Sequence, residues 1–308
     1  MLTVNAYANQ TLTLNLSTAS TDNTDIAQIS VQQFIQTTNQ HNPAIEIKTS
    51  VNQHTLENHS SDLMVMPLYK LAQKVPAIEV LELPFFYSGI KQIHNQLGGK
   101  QGEYLKQQAL EKGWVILGWW DEGMQVFSGN RRYNQRVNLS GMEFILLHDD
   151  PMAKQQFKSF NAWSRQVTPQ SSKQLLKECA VGSRSASLQR IWSERLDRVH
   201  LSLSLTQHRY EGWVLAAPLS RWKKLPTKLR QQLQQSALNM RDWQRLQANS
   251  REQESLEKLK QHNMKIFELS AEQHQEFVQR LPAWEDLLPG SLSAEEKQLL
   301  LTNGAAGI

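Results

Sequence analysis

The sequence predicts an α/β chain folded as two lobes, and three observations carry that prediction. Its 308 residues exceed one ordinary domain and fit two of about 150 residues each. Strand-like and helix-like segments alternate along the chain, the pattern of a parallel sheet covered by helices. Two extended segments late in the chain then return it to the first lobe, so the lobes share a pair of crossings that make a hinge.

Taken in order, "TLTLNL" (11–16) alternates apolar and polar residues as a strand does, and 25–40 places Ile26, Ile29 and Phe34 on a helical repeat. "AIEIKTSV" (44–51) and "DLMVMPL" (62–68) read as strands, "VLELPFFYSG" (80–89) follows, and helical segments fill 90–112. The apolar strand "WVILGWW" (114–120) completes the first lobe. A polar stretch, "SGNRRYNQRVN" (128–138), leads into "LSGMEFILLHDD" (139–150), read as turn, strand and helix start. Asp149 and Asp150 before Pro151 suit capping and the helix dipole rather than a metal. Helices are predicted near 151–160, from Ser171 to Cys179 and from Leu188 to Val199, with "SRQVTP" (164–169) between the first two.

"HLSLSLTQHRYEGWVLAAPL" (200–219) holds the two returning extended segments. One long helix is predicted over 227–263, after Pro226, with Leu229, Leu233, Ala237, Met240, Trp243 and Leu246 at three- and four-residue steps. At 1.5 Å per residue it spans roughly 50 Å, enough to brace both lobes. "KIFELS" (265–270) is the last strand and 271–281 a helix. The predicted first lobe is therefore 9–123 with 212–281, the second is 124–211, and 282–308 is a C-terminal extension.

Composition narrows the function classes. Lys and Arg number 33 against 29 Asp and Glu, so the pI of 9.1 reflects a small surplus rather than a polycationic surface, and no nucleic-acid partner is expected. Along the long helix, Glu252, Glu254 and Glu257 interleave with the basic residues, the mark of a solvated face. The single cysteine, Cys179, excludes an intrachain disulfide and reads as a small buried hydrophobe. No apolar run reaches the length of a membrane span. Ala6, Tyr7 and Ala8 fit a small-x-small cleavage signal without the charged and apolar segment that should precede it, and a leader missing from the chain is the expectation.

Catalytic signatures are missing. There is no Gly-x-Ser-x-Gly elbow, His-Glu-x-x-His or Cys-x-x-Cys, and "GGKQ" (98–101) lacks the glycine spacing and the Ser or Thr of a phosphate loop. His41, His54, His59 and His94 have no carboxylate at ligand spacing and read as surface histidines. No enzyme activity, metal or cofactor is expected. Aromatics are more informative: Phe85, Phe86, Tyr87, Trp114, Trp119 and Trp120 gather near strand ends, where open α/β sheets bind ligands. Most read as core. Trp119 and Trp120 point to opposite faces of a strand, so one of them is a candidate cleft wall.

Three stretches carry a family resemblance: "KVPAIEVLELPFFYSG" (74–89), "LEKGWVILGWWDEGMQVFSGNRRYNQRVNLSGMEFILL" (110–147) and "LSLTQHRYEGWVLAAPLSRWKKLPTKLRQQL" (203–233). In order and spacing the chain resembles the DctP-type solute-binding subunits of TRAP (tripartite ATP-independent periplasmic) transporters, over residues 11–281 in outline. The resemblance implies a bilobal periplasmic-binding-protein-like fold with a long bracing helix. It also implies a periplasmic monomer that closes on a small solute, usually an organic acid, and delivers it to TRAP membrane subunits.

Position by position, the resemblance also exposes departures. The family strand Gly-Leu-Lys-Ile-Arg-Val, whose arginine pairs with the ligand carboxylate, reads here Gly141, Met142, Glu143, Phe144, Ile145 and Leu146. Ile145 offers a carboxylate no hydrogen bond, and burying an unpaired anion costs several kcal/mol. A Gly-aromatic-Arg element reads Gly123, Met124 and Gln125, and Val-Asp-Gly-x-Glu reads Val181, Gly182, Ser183, Arg184 and Ser185. Arg184 is the candidate replacement cation, beside Arg131 and Arg132, and Glu143 opens the possibility of a neutral or cationic solute. Expected ligand-facing residues are thus Trp119, Trp120, Gln125, Glu143, Ile145, Arg184 and Ser185. The alternative is a degenerate relative that keeps the fold as a sensor or interaction module, without a role in transport.

Overall fold

The computed structural model describes residues 12–20, 25–41, 45–51, 61–178 and 182–305, except the side chains at 173, 176, 177 and 303–305. Ala6, Tyr7, Ala8, His54, His59, Cys179 and Val181 lie outside those residues. The fold is mixed α/β. Its strands are β1 (Leu12–Thr18), β2 (Ile45–Val51), β3 (Leu63–Pro67), β4 (Trp114–Gly129), β5 (Glu143–Leu146), β6 (Trp163–Gln166), β7 (Arg184–Ala186), β8 (Ser202–Pro218) and β9 (Lys265–Glu268).

The chain divides into two compact units. Unit one takes the described residues up to Val75, with Leu105–Asp121 and Gly212–Ala248; unit two takes Pro76–Tyr104, Glu122–Glu211 and the described residues from Asn249. The chain passes between the units within β4, after Asp121, and within β8, after Glu211. Segments 76–104 and 249–281, predicted in the first lobe, group with unit two. So do the helices Trp284–Leu287 and Ala294–Ala305 of the predicted extension. Specific contacts hold that tail in place: Trp284 Nε1 donates to the Pro84 carbonyl at 3.0 Å, and Gln101 Nε2 donates to that of Leu300 at 3.1 Å.

In unit one the strand order is β2-β1-β3-β8-β4. β1 pairs in parallel with β2 and with β3, and β3 is antiparallel to β8 with Met64 opposite Ala216. Burial follows strand position. β2 sits at the edge and buries only Ile45 and Ile47, whereas the inner strand β3 buries Leu63, Met64, Val65 and Met66 on both faces. The helix Ile26–His41 lays Ala27, Val31 and Phe34 onto this sheet's core, with Trp120, Trp213 and Trp222.

The predicted single helix over 227–263 is two helices, Thr227–Asn239 and Arg241–Gln261. The interruption is one residue, Met240, whose φ of −85° and ψ of −7° flatten the helical turn while hydrogen bonds continue on both sides. An apolar repeat cannot reveal this, because Met240 keeps the buried position the repeat assigns it. The second helix runs from unit one into unit two, and Gln244 within it is locked to the end of β4. Its amide accepts from Asp121 N at 2.9 Å and donates to Asp121 O at 2.8 Å.

Among the described residues, unit two holds at least two apolar clusters. One joins Phe85, Phe127, Tyr133, Phe144, Phe157, Phe160 and Phe277; another gathers Val126, Ile191, Leu196, Leu203 and Leu259. β4 pairs antiparallel with β7, β8 parallel with β9, and β5 with β6 as a separate parallel pair. Asp150 caps the helix Pro151–Ser159 through Ala153 N, as predicted. At Gly123 the φ of +154° disfavours any residue with a side chain, and a Glu252 carboxylate oxygen lies 2.8 Å from where Cβ would stand.

Candidate functional site

Strand pairing in unit two brings together residues remote in sequence. β4 and β7 align Phe127 with Ser185 and Val126 with Ala186, which sets Ser185 near Gln125. The Ser185 hydroxyl donates to Gln125 Oε1 at 2.7 Å and lies 2.9 Å from His208 Nε2. On the other side of the ring, His208 Nδ1 lies 2.7 Å from Thr206 Oγ1. Gln125 and Ser185 are half-buried, and His208 is buried between Phe127, 4.1 Å away by ring centroids, and Phe85 at 5.6 Å. Burial, with Arg209 adding to it, drives the His208 pKa well below its ordinary value, so the ring is neutral.

The backbone around this file is strained. Gln207, between Thr206 and His208, has φ +42°, and Phe85, whose N–H donates to the His208 carbonyl, has φ +56°. Each left-handed non-glycine residue costs on the order of 1–3 kcal/mol, and such strain persists only where the surroundings enforce it.

The other expected site residues lie elsewhere. Arg184, next to Ser185 on β7, is 4% exposed. It donates to the Ile145 carbonyl at 2.8 Å and to Glu194 at 2.9 and 3.1 Å. Its charge is therefore already compensated within unit two, and only its Nε is sealed without a partner among the described residues. Ile145 is 1% exposed, and its N–H donates to the Ser183 carbonyl at 2.9 Å. Glu143 is held by Arg165 through two hydrogen bonds, 2.8 and 3.1 Å. Trp119 and Trp120 belong to unit one. Trp120 is in its core and Trp119 half-buried, matching their opposite faces, and both indole N–H groups lack a partner among the described residues.

Sequence reasoning missed an ionic network buried in unit two. Arg209 donates to Asp150 at 2.7 Å and to the Glu82 carbonyl at 2.8 Å; Arg190 bridges Glu211 at 2.6 Å and Glu122 at 2.8 Å. Burial alone would raise the Asp150 pKa, but the charge and hydrogen bond of Arg209 outweigh it and hold it low. No spacing in "QHRYEG" announces that Arg209 is interior; its 5% exposure in the folded chain shows it.

Burial also raises Glu82 to about 8 and Glu79 to about 7, from ordinary values of 4.5. In Glu82 the Arg209 charge opposes the rise; in Glu79 the Asp150 charge adds to it. The folded chain thus binds more protons than the unfolded one between these values. The stability they contribute is complete below pH 4.5 and is lost as pH rises through 7 to 8. Glu82→Gln, which imitates the protonated acid, should therefore gain in Tm over the parent as pH is raised from about 5.5 to about 8.5. Thermal denaturation at the two pH values checks this; an equal difference at both would mean Glu82 ionises as it does in the unfolded chain.

Among the described residues no group of three or more His, Cys, Asp or Glu could hold a metal, and no helix is long and apolar enough to cross a membrane.

Comparisons with known proteins bear on this arrangement. The family model for bacterial extracellular solute-binding protein, family 7 (DctP), matches residues 31–287. The C4-dicarboxylate-binding protein DctB of Bacillus subtilis is 24% identical over 228 residues, 73% of this chain and 65% of that protein. The 2,3-diketo-L-gulonate-binding periplasmic protein YiaO of Escherichia coli is 23% identical over 192 residues, 62% and 58% respectively. The matches thus span less than two thirds of the length of these relatives. Among solved structures, a TRAP periplasmic solute-binding protein from Ochrobactrum anthropi superposes with a TM-score of 0.87 at 18% identity, covering 96% of both chains. One from Sulfitobacter sp. NAS-14.1 with bound β-D-galacturonate gives 0.85 at 20%, covering 96% of this chain and 100% of that one. Another, from Sulfurospirillum deleyianum with bound succinate, gives 0.81 at 19%, covering 95% and 99%. At these identities the likeness is one of fold.

Proposed function

The chain belongs to the bacterial extracellular solute-binding protein family 7, the DctP family, and on that premise we propose that it is an extracytoplasmic solute-binding protein serving TRAP-type membrane subunits. It captures a small solute in the manner the resemblance implies and carries out no chemistry on it. The observation that carries this reading is the family match across most of both units. Relatives bind C4-dicarboxylates and diketogulonate by name, and structural neighbours hold galacturonate and succinate, so small oxygen-rich solutes are the class to test.

The site departs from an acid-binding one in a specific way. Gln125 stands where an arginine is expected, Ile145 is sealed from solvent, and the nearby Arg184 is already paired with Glu194. That loss of cations also supports the second reading, a sensor or interaction module. Thermal shift against a panel of sugars, polyols, amides and organic acids separates the two. A solute at 100 times its Kd adds about 2.7 kcal/mol to stability, a readily measured rise in Tm. No rise with any member of the panel would remove the transport reading and favour the module.

A further inference from the structure

The Gln125, Ser185, His208 and Thr206 side chains form one hydrogen-bonded file, and the placement of Gln125 Oε1 against the Ser185 hydroxyl sets its polarity. The Ser185 hydroxyl hydrogen goes to Gln125 Oε1, so the 2.9 Å contact with His208 needs a hydrogen on Nε2 donated to Ser185 Oγ. A neutral imidazole then has a bare Nδ1, which accepts from the Thr206 hydroxyl at 2.7 Å. This polarity is the reverse of a nucleophile and its base, because the ring nitrogen facing the serine already carries a proton.

The consequence lies at the outer end of the file. Gln125 could turn its amide over only if every proton in the file reversed and His208 carried its hydrogen on Nδ1. Its Nε2 has no hydrogen-bond partner among the described residues and is not sealed from solvent. Strained Gln207 and Phe85 fix the backbone on either side of His208. An amide held this way turns its two N–H donors away from the file, with its oxygen engaged by Ser185.

Resting on the solute-binding reading, we propose that the Gln125 amide is a preorganised donor for an uncharged acceptor oxygen of the solute, a hydroxyl or carbonyl, and that Ser185 and His208 are positioning residues that set its polarity. An ammonium group would meet the donor end of the amide. A carboxylate would meet a neutral donor where its desolvation calls for a fixed cation, and Arg184 is occupied by Glu194. The class indicated is a neutral sugar, polyol or amide.

Two measurements test this on the intact chain. Long-range ¹H–¹⁵N correlation spectra of the histidine rings at neutral pH should show His208 as the Nε2–H tautomer, assigned by comparison with His208→Gln; the Nδ1–H tautomer would overturn the proposal. Titrations with D-galactose, D-galacturonate and D-galactosamine, and with succinamide and succinate, then read the charge preference. The neutral member of a series should bind tightest. Ser185→Ala should weaken it by about 3- to 10-fold, one ordering hydrogen bond's worth, with Tm unchanged, and Ser185→Thr should restore it. If a carboxylate binds tenfold or more tighter than its neutral partner, or if Ser185→Ala changes no affinity, the inference fails while the solute-binding reading stands. If no member binds, both fail.

Discussion

Arg209→Ala is expected to lower the stability of unit two by about 3–5 kcal/mol, the cost of leaving a buried charge without its partner. Arg209 is 5% exposed and donates to Asp150 and to the Glu82 carbonyl. Removing it strands an Asp150 carboxylate held low in pKa chiefly by that arginine against the pull of burial. Asp150 also caps the helix Pro151–Ser159, so its protonation would weaken the helix start as well. The effect should be read by urea denaturation, following tryptophan fluorescence. Arg209→Met with Asp150→Asn should recover part of the loss, since it removes the charge pair together rather than one member. A loss below about 1 kcal/mol for Arg209→Ala would mean that water reaches this network.

Phe144→Ala should cost a similar amount, about 3–5 kcal/mol, through an unrelated mechanism. The ring is fully buried, stacked on Phe157 at a 4.1 Å centroid distance and 11° between planes, and set edge-on to Phe127 at 5.4 Å. Deleting it forfeits transfer energy and leaves a cavity that rings already packed together cannot collapse into. Phe127 also packs on His208, so the cavity would loosen the support of the Gln125 file. Phe144→Leu, which keeps most of the volume, should cost less than Phe144→Ala in the same urea titrations. Equal losses would show that the aromatic geometry, not the filled volume, is what counts.

The alternation of strands and helices was legible because each element carries its own period. Leu14 and Leu16 alternate with exposed Thr13 and Asn15 on β1, and β3 is apolar throughout because it is an inner strand. The cap at Asp150 was legible for the same reason, since a cap and its helix are neighbours in sequence. What was not legible depends on pairing at long range. Ser185 reaches Gln125 only through the register of β4 with β7, and His208 joins them from a third strand. Arg184 and Ser185 sit side by side in sequence yet do opposite things, because adjacent residues of a strand face opposite ways: one is locked to Glu194 and Ile145, the other belongs to the file. Grouping of 76–104 with unit two likewise follows from contacts such as that of Phe85 with Phe277, 5.3 Å apart, which no local pattern announces.

The most direct test is a calorimetric titration with D-galactose, and in parallel with the tightest solute of the thermal-shift panel, repeated as salt is raised from about 0.01 M to about 1 M, where the Debye length falls from about 30 Å to about 3 Å. Capture by neutral donors predicts saturable one-site binding whose affinity is nearly independent of salt. Affinity that collapses with salt, or the absence of saturable heat for every solute tried, would contradict it.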